Sequence, residues 1–149
     1  MIVAFTGHRE LDVHKRAGLR GKLLARLGEL KSEHSELTAI SGMAVGFDTL
    51  AASVCAELEI PFDAYVPFAG QSVRWPLYAQ KYYRELIAKA CTVRIISPGG
   101  YAPGKMQRRN EAMVDACDLL IAAWSGSAGG TANCVRYAEK VDRKVENLW

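Results

Sequence analysis

Ser41-Gly-Met-Ala-Val-Gly-Phe-Asp48 sets a hydroxyl, two glycines and a carboxylate within one short segment. An apolar run before it, Leu37–Ile40, reads as a buried strand, and Thr49–Leu58 after it reads as a helix. A strand, a glycine-bearing turn and a helix start form a corner where backbone N–H groups face an anion. Gly129-Gly130-Thr131 repeats that chemistry before a second helical pattern: glycines for close approach, a hydroxyl to donate, and the positive end of a helix. Each has a plainer reading, a tight strand–helix turn for the first and ordinary capping for the second. Thr6-Gly7-His8-Arg9 follows the first strand directly, so Arg9 and His8 either face a ligand or are solvated and backbone-bonded. Arg109-Asn110 stands at a helix start beside Lys105 and Arg108, either a solvated basic helix start or a cluster whose charge opposes the helix dipole and is relieved by a bound anion. Asp48 either caps its helix or takes a ribose hydroxyl. Trp124, ahead of Ser125-Gly126, either stacks on a base or closes its strand. The ligand these residue types suit carries phosphate.

The elements that must position these residues alternate along the chain. Strands are predicted at Ile2–Phe5, Leu37–Ile40, Asp63–Val66, Thr92–Ile96 and Leu119–Ala123, with a short sixth at Lys144–Leu148. Helices are predicted at Val13–Lys31, Phe47–Leu58, Pro76–Ala90, Gln107–Ala116 and Gly130–Val141, with Pro76 at a first helical position. This alternation predicts an α/β fold, a Rossmann-like three-layer sandwich around a mostly parallel sheet of 5–6 strands, in one domain over residues 1–149. Ligands of such sheets bind beyond the carboxyl ends of the strands. The loops after all five main strands carry glycine, and the opposite ends are plainer, which argues for a single site. Pro98–Gly104 is the longest loop and has the composition of a flap.

Composition narrows the class. The 149 residues are half hydrophobic, enough for a real core, with no apolar stretch long enough to span a bilayer. A strand starting right after Met1, with no basic leader, predicts no signal peptide. Cys55, Cys91, Cys117 and Cys134 lie far apart and the three histidines lack metal-ligand spacing, so the cysteines read as reduced, mostly buried and cytoplasmic. No cofactor or metal is expected. A net charge of +3 is too mild to demand nucleic acid. Val13–Lys31 carries an apolar stripe of leucines opposite Lys15, Arg16, Arg20, Lys22 and Arg26, read as a solvated face. Trp75, Tyr78, Tyr82 and Tyr83 read as core or interface rather than as base-stacking groups.

The loops resemble the SLOG superfamily, which joins DprA/Smf, LOG and YpsA-like proteins. Ser41–Asp48 with Ala51-Ala52 is similar to the DprA SGxAxGID segment, and Arg109-Asn110 to its RN pair. Met106-Gln-Arg-Arg109 with Met113 resembles a LOG pattern, and Gly129-Gly130-Thr131 resembles its GGxGT loop imperfectly. Thr6–Arg9 and Pro67-Phe68…Trp75…Tyr82 look most like the YpsA branch. The resemblance implies a Rossmann-like fold, a nucleotide-type ligand and pairing into a homodimer. It also implies a difference from LOG phosphoribohydrolases, which carry a glutamate three residues past the loop threonine; here that position is Cys134. Asp48 and Asp115 are the carboxylates left for glycosidic chemistry.

Three functions follow: a nucleotide-binding sensor or sequestering protein, a nucleotide-processing enzyme, and a DprA-like single-stranded DNA binder. The first is preferred, with no turnover, no membrane partner, and nucleic acid as an open but disfavoured partner. The expected ligand contacts are Thr6, Gly7, His8, Arg9, Ser41, Gly42, Met43, Gly46, Asp48, Arg109, Asn110, Trp124, Gly126, Gly129, Gly130 and Thr131.

Overall fold

The computed structural model describes residues 1–149. Along the chain run β1 (Ile2–Gly7), α1 (Val13–Glu33), β2 (Thr38–Ser41), α2 (Phe47–Glu57), β3 (Phe62–Val66), α3 (Leu77–Ile87), β4 (Val93–Ile95), α4 (Lys105–Ala116), β5 (Leu119–Ala123), α5 (Gly130–Lys140) and β6 (Lys144–Asn147). All six strands join one sheet in the order β4-β3-β2-β1-β5-β6, every pairing parallel. The sixth strand is real, and the sheet is wholly rather than mostly parallel.

Alternation along each strand sorts side chains into two cores. Val3, Phe5, Ala39, Leu119 and Ile121 face α1, α2 and α3, whereas Ala4, Ile40 and Leu120 face α4 and α5. α1 contributes Leu19, Leu23, Leu27 and Leu30 to the larger core, each at most 2% exposed. Full burial of such a side chain stabilises by roughly 1.5–3 kcal/mol. The basic face of α1 is more engaged than a solvated stripe. Arg26 reaches Glu146 of β6 at 2.8 Å, Arg20 pairs with Glu57, and Lys22 Nζ donates to the Leu148 carbonyl at 2.8 Å. These partners lie far away in sequence, so helix periodicity alone does not reveal them.

The strand order places the site. β1 leads outward to β2, β3 and β4 on one side, and the chain then returns to place β5 and β6 on the other. Loops leaving β1 and β5 therefore diverge, opening a crevice at their carboxyl ends.

Candidate functional site

The turn after β2 is held by its own polar atoms. Ser41 Oγ accepts from the Met43 N–H at 3.1 Å and donates to the Asp48 carbonyl at 2.9 Å. Met43 adopts φ 56° and is fully buried. Gly46 has φ 96°, and a Cβ there would collide with the carbonyl oxygens of His8 and Arg9. The β1 loop and the start of α2 cross at this point, and the Phe47 N–H donates to the His8 carbonyl at 3.1 Å. Gly7 meets the same need, because a Cβ there would lie 2.5 Å from Phe47 Cβ.

Gly42 makes room for a buried pair of charged groups. A Cβ on it would fall 2.7 Å from Arg109 Cζ and 2.8 Å from Asp48 Oδ2. Arg109, on the first turns of α4, donates from Nη1 to the carbonyls of Gly42 and, at 3.3 Å, of Tyr65. Its Nε donates to Asn110 Oδ1 at 3.0 Å. Arg109 is only 3% exposed and Asp48 only 5%. Burial pushes the Asp48 carboxyl up to about 6, against the pull of Arg109 and of the Ala44 N–H. Burial also lowers the Arg109 guanidinium, with Asp48 opposing. A guanidinium keeps its proton in proteins, so the floor of the crevice is cationic whenever Asp48 is protonated.

The opposite wall is the start of α5. Gly129 has φ 143° and no side chain caps the helix. The first backbone bond of the helix is Asn133 N–H to the Gly129 carbonyl at 3.0 Å, leaving the N–H groups of Gly130, Thr131 and Ala132 without a partner in the protein. These residues, with Thr6, Arg9, Asp48 and Arg109, line a cleft of about 290 Å³. Free helix amides on one wall and a buried guanidinium at the floor can together hold an anion.

Ten of the sixteen expected residues line this cleft: Thr6, Gly7, His8, Arg9, Asp48, Arg109, Asn110, Gly129, Gly130 and Thr131. Ser41, Gly42, Met43 and Gly46 lie beneath it, shaping the turn that carries Asp48. Trp124 and Gly126 stand outside its lining, and Trp124 Nε1 donates to the Ser127 carbonyl at 2.8 Å. The sequence reading missed Ala44, Ala128 and Ala132, whose small apolar side chains carry no chemical signature, and did not set Met106 or Ser127 among the ligand contacts. It also missed Gln71, whose Nε2 donates at 3.3 Å to the Gly42 carbonyl from behind the turn. Trp75 and Tyr83 pack edge to face at 5.3 Å, away from the cleft. The Pro98–Gly104 loop is tied by Lys105 Nζ, which donates to the Pro98 and Gly100 carbonyls at 2.5 and 2.6 Å. Cys134 is fully buried and burial pushes its thiol up to about 12, so it carries no negative charge at neutral pH. Asp115 accepts from the Tyr137 hydroxyl at 2.8 Å outside the cleft, leaving Asp48 as the carboxyl within it.

A parallel sheet with its crevice at the switch point, walled by a glycine-led helix start, defines a Rossmann-like domain of the type that binds ligands there. A family model described as the YspA SLOG family matches residues 3–147, and the chain belongs to that family. An uncharacterized SPbeta prophage-derived protein of Bacillus subtilis (strain 168), YoqJ, is 31% identical over 139 residues, covering 82% of this chain and 81% of YoqJ. DNA processing protein A of Helicobacter pylori, whose structure concerns single-stranded DNA binding, shares the fold with a TM-score of 0.74 at 17% identity. DprA of Streptococcus pneumoniae does so with a TM-score of 0.72 at 18% identity. The alignments cover 99% and 97% of this chain but only 64% and 49% of those two proteins.

Proposed function

We propose that the cleft between the ends of β1 and β5 binds a nucleotide or a nucleotide-derived small molecule, and that the protein senses or sequesters it. The observation that carries this reading is the pairing of three unpartnered amides at the start of α5 with the buried Arg109 guanidinium in one cleft. No side chain of the protein caps the α5 amides, and Asp48, the countercharge of Arg109, is itself pushed up by its burial. Thermal shift against mononucleotides, dinucleotides and cyclic nucleotides tests it. A true ligand at about a hundred times its Kd stabilises by roughly 2.7 kcal/mol. A flat panel sinks the reading.

The same reading expects binding without base release. Cys134 stands where the resemblance to LOG proteins places a glutamate, and glycosidic cleavage leans on a carboxylate near the developing cation. Chromatography of nucleoside monophosphates after incubation checks this; base release lost in Arg109→Ala would favour the enzyme. The reading also includes a homodimer. Val73, Leu77 and Tyr78 stand 68–82% exposed around the start of α3, an apolar surface suited to a partner copy. Light scattering that finds only the 16.3 kDa monomer at tens of micromolar rejects it. Four unpaired cysteines suit a reducing, cytoplasmic compartment.

A further inference from the structure

A second hollow adjoins the cleft, sharing His8, Arg9 and Ser127 with it and completed by Glu10, Ser125 and Trp149. Trp149 is held in place. Its N–H donates to Asn147 Oδ1 at 3.2 Å, and the preceding Leu148 N–H donates to the Ala122 carbonyl at 2.8 Å. The indole meets the His8 imidazole edge to face, with centroids 4.9 Å apart and planes at 81°. His8 is fixed in turn, because its Nε2 accepts from the Ser125 N–H at 2.9 Å. Neither ring belongs to the hydrophobic cores, and Trp149 remains 39% exposed. A large aromatic surface is thus preorganised beside the anion cleft without serving the packing of the fold. Lys15 Nζ lies 3.9 Å from the indole centroid, on a long side chain that an arriving ring can displace.

We propose that this hollow is the base subsite of the same ligand: a planar heterocycle packs against the Trp149 indole while its phosphates reach past Arg9 to the α5 amides. Ser125 and Ser127, whose hydroxyls lie 3.0 Å apart, and Glu10 offer polar atoms to the edge of that ring. Aromatic stacking tolerates any base, and the polar edge supplies the choice among bases. The inference rests on the nucleotide reading above and adds where the base goes.

Isothermal titration with ADP and with inorganic pyrophosphate separates the two. The full chain binds ADP more tightly than pyrophosphate. Trp149→Ala weakens ADP by about tenfold or more, the scale of one lost base–aromatic stack, and leaves pyrophosphate within roughly twofold. Trp149→Phe retains most of the ADP affinity, and Gly130→Asp weakens both probes. Unchanged ADP binding in Trp149→Ala overturns the base subsite while leaving the phosphate cleft standing. Equal loss of both probes also overturns it, since Trp149 would then act through the fold. Failure of the unaltered protein to bind either probe overturns the phosphate cleft and the base subsite together.

Discussion

Arg109 is a charge held almost out of water, and the countercharge that acts on it most strongly is a carboxyl raised by its own burial. This arrangement has a signed consequence for stability. The Asp48 carboxyl titrates near 6 in the folded chain, above its ordinary value of 3.8. The folded state therefore binds that proton more tightly than the unfolded state does. The resulting stability is fully present below pH 4 and is lost as the pH rises through 6, a change of about 3 kcal/mol. Asp48→Asn removes this dependence. Denaturant unfolding at pH 4 and pH 7 should show the unaltered protein losing about 2 kcal/mol relative to the variant, because the other titrating groups are common to both. Parallel stability curves would refute the assignment. Gly42 is tested the same way. Its replacement by Ala drives a Cβ into two buried polar groups, and overpacking of this kind costs about 1–3 kcal/mol. Loss of ligand-induced stabilisation should accompany it, because Arg109 must shift.

At the scale of elements, the helix starts and the loops behave differently from the glycines inside α1. A Cβ added at Gly130 meets nothing within 4 Å, and the backbone there is not left-handed. Gly130→Asp therefore keeps α5 intact while placing a carboxylate among the three free amides. Circular dichroism should be unchanged, and the thermal shift from any nucleotide should vanish. Gly21 also meets open space and lies exposed in the middle of α1. Gly21→Ala should stabilise the chain by about 0.5–1 kcal/mol in denaturant unfolding, through helix propensity alone. The elements themselves were legible because their cause is local. Strands buried on both faces are near-continuous apolar runs, and α1 declares itself by its leucine spacing. Much of the candidate site was legible for the same reason, since glycine, arginine and threonine at strand ends are visible one loop at a time. The roles of Gly42 and Gly46 were not, because what excludes a side chain there is Arg109, 67 residues away, or the carbonyls of His8 and Arg9. Trp149 escaped notice because it reaches His8 only through the pairing of β6 with β5 and of β5 with β1.

On the scale of the whole molecule, the proposed nucleotide competes with a longer polyanion as the ligand. The fold is shared with DprA proteins, one of them described by its single-stranded DNA binding, so fold alone does not choose between a nucleotide and a strand. Charge distribution does bear on the choice. The chain carries a net +3, and three basic residues of α1, Arg20, Arg26 and Lys22, are spent on Glu57, Glu146 and the Leu148 carbonyl. The residues proposed to hold phosphate instead converge on one cleft of about 290 Å³. A polyanion that touches many cations releases many counterions, and its affinity falls with salt with a log–log slope of roughly −0.7 per phosphate for a single strand. A ligand with one or two phosphates in this cleft releases few. Between 50 mM and 200 mM salt, the affinity of the best nucleotide should therefore fall by less than about tenfold, measured by titration calorimetry. An oligonucleotide should bind weakly by comparison, and Arg109→Ala should not alter what binding it shows. Tight oligonucleotide binding with a slope steeper than about −3, on a protein that ignores mononucleotides, would move the function to single-stranded DNA and make the cleft one contact along a strand.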